Sequence, residues 1–67
     1  MDTKEIMKLL STLDKAKVYL KDGNVLVGES QGIVYDDEEN QCIAFRPSYS
    51  ALYFHLYPED IVKVEEI

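Results

Sequence analysis

One helix followed by five short strands, curled into a small and strongly bent barrel, is the fold class this sequence predicts: mainly β, a single domain over residues 1–67, with the helix at 2–13 and the barrel at 15–67. Three observations predict it. Residues 2–13 carry apolar side chains at helical spacing. From residue 15 onward apolar and polar residues alternate, as on a half-buried strand. The alternating runs are cut by Asp22-Gly23, Asp36 to Asn40, Arg46-Pro47-Ser48 and Tyr57-Pro58-Glu59-Asp60, which are turn-forming stretches.

The totals narrow the possibilities. A chain of 67 residues buries only about 60% of the surface it exposes when unfolded, so some staple is expected. The single Cys42 forms no internal disulfide, and no Cys/His group has zinc-ligand spacing, which leaves self-association. No apolar run approaches the ~18 residues of a membrane span, and the N-terminal stretch lacks a secretory signal's long apolar region. A soluble, cytoplasmic protein is the expectation. The net charge of -6 is unevenly spread: Lys4, Lys8, Lys15, Lys17 and Lys21 are five of the seven bases, whereas the chain from Asp22 onward sets ten acids against Arg46 and Lys63. An acidic body argues against general nucleic-acid affinity, which depends on neutralising phosphates.

In order, Asp2 and Glu5 are spaced as N-cap and N3 of a capping box, and both suit the positive end of a helix dipole. Ile6, Leu9, Leu10 and Leu13 then form one apolar stripe, with Lys4, Glu5, Lys8 and Ser11 facing away. In residues 15–21, Ala16, Val18 and Leu20 point inward. Asp22-Gly23 marks a hairpin with two open registers, pairing Lys21 with Asn24 across a two-residue turn or with Val25 across a three-residue loop. Gly28 inside the next strand signals a bend, a bulge or a close backbone approach, and Gly32 is a second candidate bend. Asp36 to Asn40 reads as a solvated turn; its carboxylates would suit a hard cation, but the spacing does not match a calcium-binding loop. Cys42 to Phe45 is a short apolar strand that Pro47 breaks, with Cys42 a small buried hydrophobe.

Residues 48–57 read as a strand with Leu52, Phe54 and Leu56 on one side and Tyr53, His55 and Tyr57 on the other. Tyr49, Leu52, Tyr53 and Leu56 also recur at helical spacing after Pro47, so a helix is the alternative there. Ile61 to Ile67 is the last strand, setting Val62 and Val64 against Ile61, Lys63 and Glu65.

Leu20, Gly23, Leu26 and Gly28 stand as L-x-x-G-x-x-h-x-G, Asp36 and Asn40 as D-x-x-x-N, and Ile61-x-x-Val64 as a closing strand. In this the chain resembles the Sm-like family, as a small, divergent, bacterial-type member. The resemblance implies an N-terminal helix, a five-stranded barrel and ring-like homo-oligomers in which edge strands of neighbouring subunits pair. It places the subunit interface at Tyr53, His55, Tyr57, Ile61 and Lys63, on the edge segments 53–57 and 61–64. For RNA-binding members it implies a base-reading loop at Asp36 and Asn40, with Tyr35 stacking on the base and Lys4 and Lys8 touching phosphate. The chain departs from the family where an Arg-Gly pair completes that pocket, carrying Tyr57-Pro58-Glu59 instead.

The expected function is therefore a non-enzymatic, oligomerising Sm-like module for protein interaction or assembly. The alternative is an RNA-binding Sm-like ring that recognises short uridine-rich single strands. No Ser/His/Asp or Cys/His arrangement and no phosphate-cradling glycine loop is present to suggest an enzyme, and no cofactor or metal is expected.

Overall fold

The computed structural model describes the whole chain, Met1 to Ile67. Helix α1 (Thr3–Thr12) leads into β1 (Lys15–Leu20), β2 (Val25–Tyr35), β3 (Gln41–Pro47), β4 (Phe54–Leu56), a 3-10 turn at Pro58–Asp60 and β5 (Ile61–Glu66). The strands make one antiparallel sheet in the order β4-β3-β2-β1-β5. Strands β4 and β5 are its two edges, and no ladder joins them.

The helix begins where the sequence places its cap. Asp2 Oδ1 accepts from the Glu5 N–H at 2.8 Å, satisfying one of the donors that every helix N-terminus leaves unpaired. Ile6 and Leu10 are completely buried, and Met7, Leu9 and Leu13 pack at the core's margin. Each fully buried side chain of this kind contributes roughly 1.5–3 kcal/mol, which a ten-residue helix needs because it is marginal alone. The other end is tied to the sheet: the Ser30 hydroxyl donates to the Leu10 carbonyl, and the Ser30 N–H donates to the Asp14 carbonyl at 2.9 Å.

The β1–β2 hairpin takes neither of the two expected registers. Tyr19 pairs with Val25 and Val18 with Leu26, and Leu20 N–H donates to Asn24 O at 2.9 Å, leaving Lys21-Asp22-Gly23 as a three-residue loop. Gly23 closes that loop with a φ of +96°, and its N–H donates to Leu20 O at 3.0 Å. A type I turn followed by a left-handed glycine gives this geometry. Asp22 reinforces it by accepting from the Asn24 backbone at 2.9 Å and side chain at 3.0 Å. The register turns Leu26 and Gly28 to the core.

Gly28 and Gly32 do different jobs in β2. Gly28 lies between Ala16 and Pro47, and a Cβ there would collide with the Arg46 carbonyl oxygen and stand 2.7 Å from Pro47 Cα. It is a close approach of two backbones rather than a bend. The bend is at Gly32, whose φ is +94° and where the β2–β3 register shifts between Ser30 and Ile33. A bulge of this kind increases local twist and lets one long strand curve around the core.

Three expectations about the C-terminal half are corrected. Strand β3 runs through Pro47, which is buried opposite Gly28; pairing with β4 stops at Phe45, so the missing proline N–H interrupts no ladder. The strand over 48–57 shrinks to Phe54–Leu56, and no helix forms there. Ser50 holds the preceding residues in a turn: its N–H donates to Pro47 O at 3.0 Å, its hydroxyl accepts from Leu52 N–H at 3.0 Å, and its carbonyl accepts from Arg46 Nη1 at 3.0 Å. Leu52 is thereby left 72% exposed instead of facing inward. In β5 the buried residues are Ile61 and Val64, because the register against β1 slips between Tyr19 and Leu20 and shifts the alternation at Val62.

The core that results joins Ile6 and Leu10 of the helix to Ala16, Val18, Leu26, Ile43, Phe45, Leu56, Ile61 and Val64. Gly28→Ala is expected to cost about 3 kcal/mol or more, since the obstacle is backbone that has nowhere to go. Gly32→Ala meets open space and pays only for its φ, about 1 kcal/mol. Urea midpoints of the two variants check this; equal losses would contradict the close approach at Gly28.

Candidate functional site

The β2–β3 turn is organised by one carboxylate. Asp36 Oδ1 accepts from Asn40 N–H at 2.8 Å and Glu38 N–H at 2.9 Å, while Asp36 N–H donates to Asn40 O at 3.0 Å. Oδ2 accepts from the Tyr57 hydroxyl at 2.8 Å and lies 3.5 Å from Asn40 Nδ2. Glu39 takes a φ of 64° to complete the turn, a conformation that few non-glycine residues adopt. Donation from the Asn40 backbone, and then from Tyr57, holds the Asp36 carboxyl below its ordinary value of 3.8. The same bond pushes the Tyr57 phenol from 10.0 up to about 12.

This bond links the turn to the residue just after β4, so Asp36, Asp37, Glu38, His55 and Tyr57 line a single cleft. His55 also borders a cleft on the hairpin side, with Leu20, Lys21, Asp22 and Asp60, where Lys21 and Asp60 form an ion pair of 3.1 Å. Cys42 is buried nearby; desolvation, and after it the charge of Asp36, raises its thiol pKa, the opposite of what a nucleophile needs. No three His, Cys, Asp or Glu side chains are grouped so as to hold a metal ion.

The residues singled out for RNA divide among three places. Asp36 and Asn40 share the turn, but the Asn40 amide faces Asp36. Tyr35 is exposed, its hydroxyl accepting from Gln41 Nε2 at 3.3 Å, and it borders a separate shallow cleft with Tyr53 and His55. Lys4 and Lys8 lie exposed on α1 and line neither cleft.

The residues singled out for an interface are likewise divided. Tyr53 and His55 are exposed on or beside β4, and Lys63 is exposed on β5, where it pairs with Glu65 at 3.3 Å. Ile61 is only 6% exposed and belongs to the core, brought there by the irregularity in β5. Tyr57 is half-buried and its hydroxyl is committed to Asp36, so it braces the turn within the subunit instead of standing free. Exposed apolar side chains not singled out include Tyr49 and Leu52 before β4, Phe54 in β4, Val62 on β5, and Val25, Val27 and Ile33 on β2. The Tyr57–Asp36 bond spans 21 residues, and no local pattern announces it.

No protein-family model, no curated protein and no solved structure matches the chain.

The phenol–carboxylate pair has a signed pH signature. The Asp36 value is lowered on folding, so its contribution is complete above pH 3.8 and fades as pH falls through the lowered value. The Tyr57 value is raised, so its contribution is complete below pH 10.0 and is lost as pH rises through about 12. In Tyr57→Phe the Asp36 carboxyl, followed by carbon NMR, is expected to titrate at higher pH than in wild type while staying below 3.8, because the Asn40 N–H remains. An unmoved Asp36 midpoint would rule out the bond.

Proposed function

We propose that this chain is a non-enzymatic binding module that assembles with copies of itself, on a strongly bent Sm-like barrel whose remaining opening lies between β4 and β5. The observation that carries the reading is the pair of unpaired sheet edges, flanked by exposed Tyr53 and Phe54 at β4 and by Val62 at β5. Unpaired strand edges present a row of backbone donors and acceptors that natural proteins cover or use. Aromatic side chains beside such an edge are what interface cores are enriched in. The order of one helix and five antiparallel strands fits the family resemblance drawn from Leu20, Gly23, Leu26 and Gly28. The assembled form presents its surface to a protein partner, in keeping with five tyrosines on an acidic chain.

RNA recognition is the second reading, favoured by the exposed ring of Tyr35, which is open to stacking. Against it stand the exposed carboxylates of Asp37, Glu38 and Glu39 around Asn40, which repel a phosphate path, and the separation of Lys4 and Lys8 from that turn. No helix is long and apolar enough to cross a membrane.

Light scattering at micromolar concentration is expected to report a mass several times that of one chain, and a uridine-rich oligonucleotide at low salt is expected to leave the protein unbound. A monomeric mass would overturn the assembly reading. Oligonucleotide binding that is weakened by Asn40→Ala would replace it with the second.

A further inference from the structure

The sheet carries a hollow of about 330 Å³ where β2, β3 and β4 meet. The strand register builds its floor. Val34 stands opposite Cys42 and Ala44 opposite His55, so Val34, Ala44 and His55 share the face turned away from buried Ile43 and Phe45. Ala44 has only a methyl group to fill the space above that floor. Tyr35 at the end of β2 and Tyr53 just before β4 border the hollow, 64% and 51% exposed, and Gln31 completes its rim.

These two tyrosines lack what a third one has. Across the sheet, Tyr19 gathers two lysines, with Lys17 Nζ 5.3 Å and Lys63 Nζ 5.4 Å from its ring centre, and its hydroxyl donates to Glu65 Oε1 at 2.6 Å. The negative face of an aromatic ring attracts cations in this way. No lysine or arginine of the chain lies over Tyr35 or Tyr53.

The charge beside the hollow is predominantly negative. At His55, the one basic side chain bordering it, the hollow meets the cleft of Asp36, Asp37 and Glu38. None of these carboxylates, nor that of Glu39, forms an ion pair within the chain. Asp36 uses its oxygens to hold the turn and Tyr57, which leaves Asp37 and Glu38 as the free anions. Two residues along β3 from Ala44, Arg46 is taken up by Glu29 and by the Ser50 carbonyl, and Lys15 stands opposite Glu29 on β1. The chain therefore supplies no cation of its own to this place.

We propose that the hollow seats an arginine side chain from a basic segment of a partner protein, its guanidinium against Tyr35 and Tyr53 and its charge met by Asp37 and Glu38. The inference rests on the reading of the chain as a protein-binding module and names the chemistry of the partner. A guanidinium is planar, keeps its charge and stacks on aromatic faces, so two tyrosines suit it better than they suit an ammonium. Gln31 offers a carbonyl oxygen and His55 a ring nitrogen to its N–H donors. A nucleobase also stacks on such rings, but the phosphates on either side of it would meet the same carboxylates. The net charge of -6 draws a basic segment in from a distance, and the tyrosines decide where it stops.

Fluorescence anisotropy with a labelled peptide of alternating glycine and arginine tests this on the full chain. Wild type is expected to bind that peptide and to ignore one with glutamine in place of every arginine. Tyr35→Leu with Tyr53→Leu keeps every charge, removes both rings and is expected to weaken binding about tenfold, the loss of two cation–π contacts. Asp37→Asn with Glu38→Gln is expected to weaken binding severalfold and to flatten its dependence on salt. All four positions are exposed, and melts followed by circular dichroism separate a folding defect from a lost site. Equal binding by wild type and the tyrosine variant would reduce the attraction to net charge and overturn the proposal. Binding of a labelled uridine-rich oligonucleotide that the tyrosine variant loses would give the hollow to nucleobases and overturn it too. An assembled wild type that ignores the arginine peptide would overturn the proposal and leave self-assembly standing. A monomeric wild type that binds it through the tyrosines would support the proposal and overturn self-assembly alone.

Discussion

Strand β2 has to serve two neighbours at once. It pairs with β1 from Val25 to Glu29 and with β3 from Gly28 to Tyr35, so the two ladders overlap at Gly28 and Glu29. Close packing there requires β3's backbone to sit where a side chain would otherwise be, and only glycine permits it. Once β3 is seated against Gly28, Pro47 is buried, Phe45 and Ile43 face the core, and the rest of β2 must turn back through Gly32 to keep its partner. The Arg46–Glu29 ion pair crosses the same seam on the outer face. Its partners are partly solvated, so it adds register more than stability.

The features most legible in the sequence are those set by neighbouring residues. The Asp2 cap, the Ile6/Leu10 stripe, the alternation in β1 and the turn at Asp36 to Asn40 each depend on contacts within a few positions, and each is present. The hairpin register was not legible, because it turned on whether Gly23 sat in the middle of the loop or at its end. Pairing Lys21 with Asn24 puts Gly23 at the end of a two-residue turn and pairing it with Val25 puts Gly23 in the middle of a three-residue loop, whereas the observed loop starts one residue earlier, at Lys21. Residues 48–57 misled for a different reason: high β-propensity over ten residues says nothing about how many have a partner, and Ser50 diverts half of them into a turn. Ile61 could not be assigned to core or interface by alternation, because the shift against β1 breaks the alternation itself.

The candidate site was legible in its parts but not in its assembly. Asp36, Asn40, His55 and Tyr57 all stood out as residues, yet the contact that combines them crosses two strands and follows only from the return of β4 beside β3. That contact also changes what the residues are available for. A tyrosine whose hydroxyl is held by a carboxylate is a brace, and an asparagine turned toward that carboxylate has less to offer a base. The Tyr19 cluster was invisible for a related reason: Lys17 and Tyr19 are close in sequence, but Lys63 and Glu65 reach them only across the β1–β5 ladder.

Size ties these points together. Only 13 of 67 residues are buried, so the fold has little apolar burial in reserve with which to cover both sheet edges from within. A larger domain places a further strand or helix over such edges. Here the helix caps the sheet from the side of β2 and β5, and β4 is only three residues long. Covering an edge with a second copy adds burial without lengthening the chain, and it works only if the correct edges meet. The charged groups near those edges, the Tyr19 cluster at one and the Asp36 turn at the other, lie outside the core and so cost the fold little.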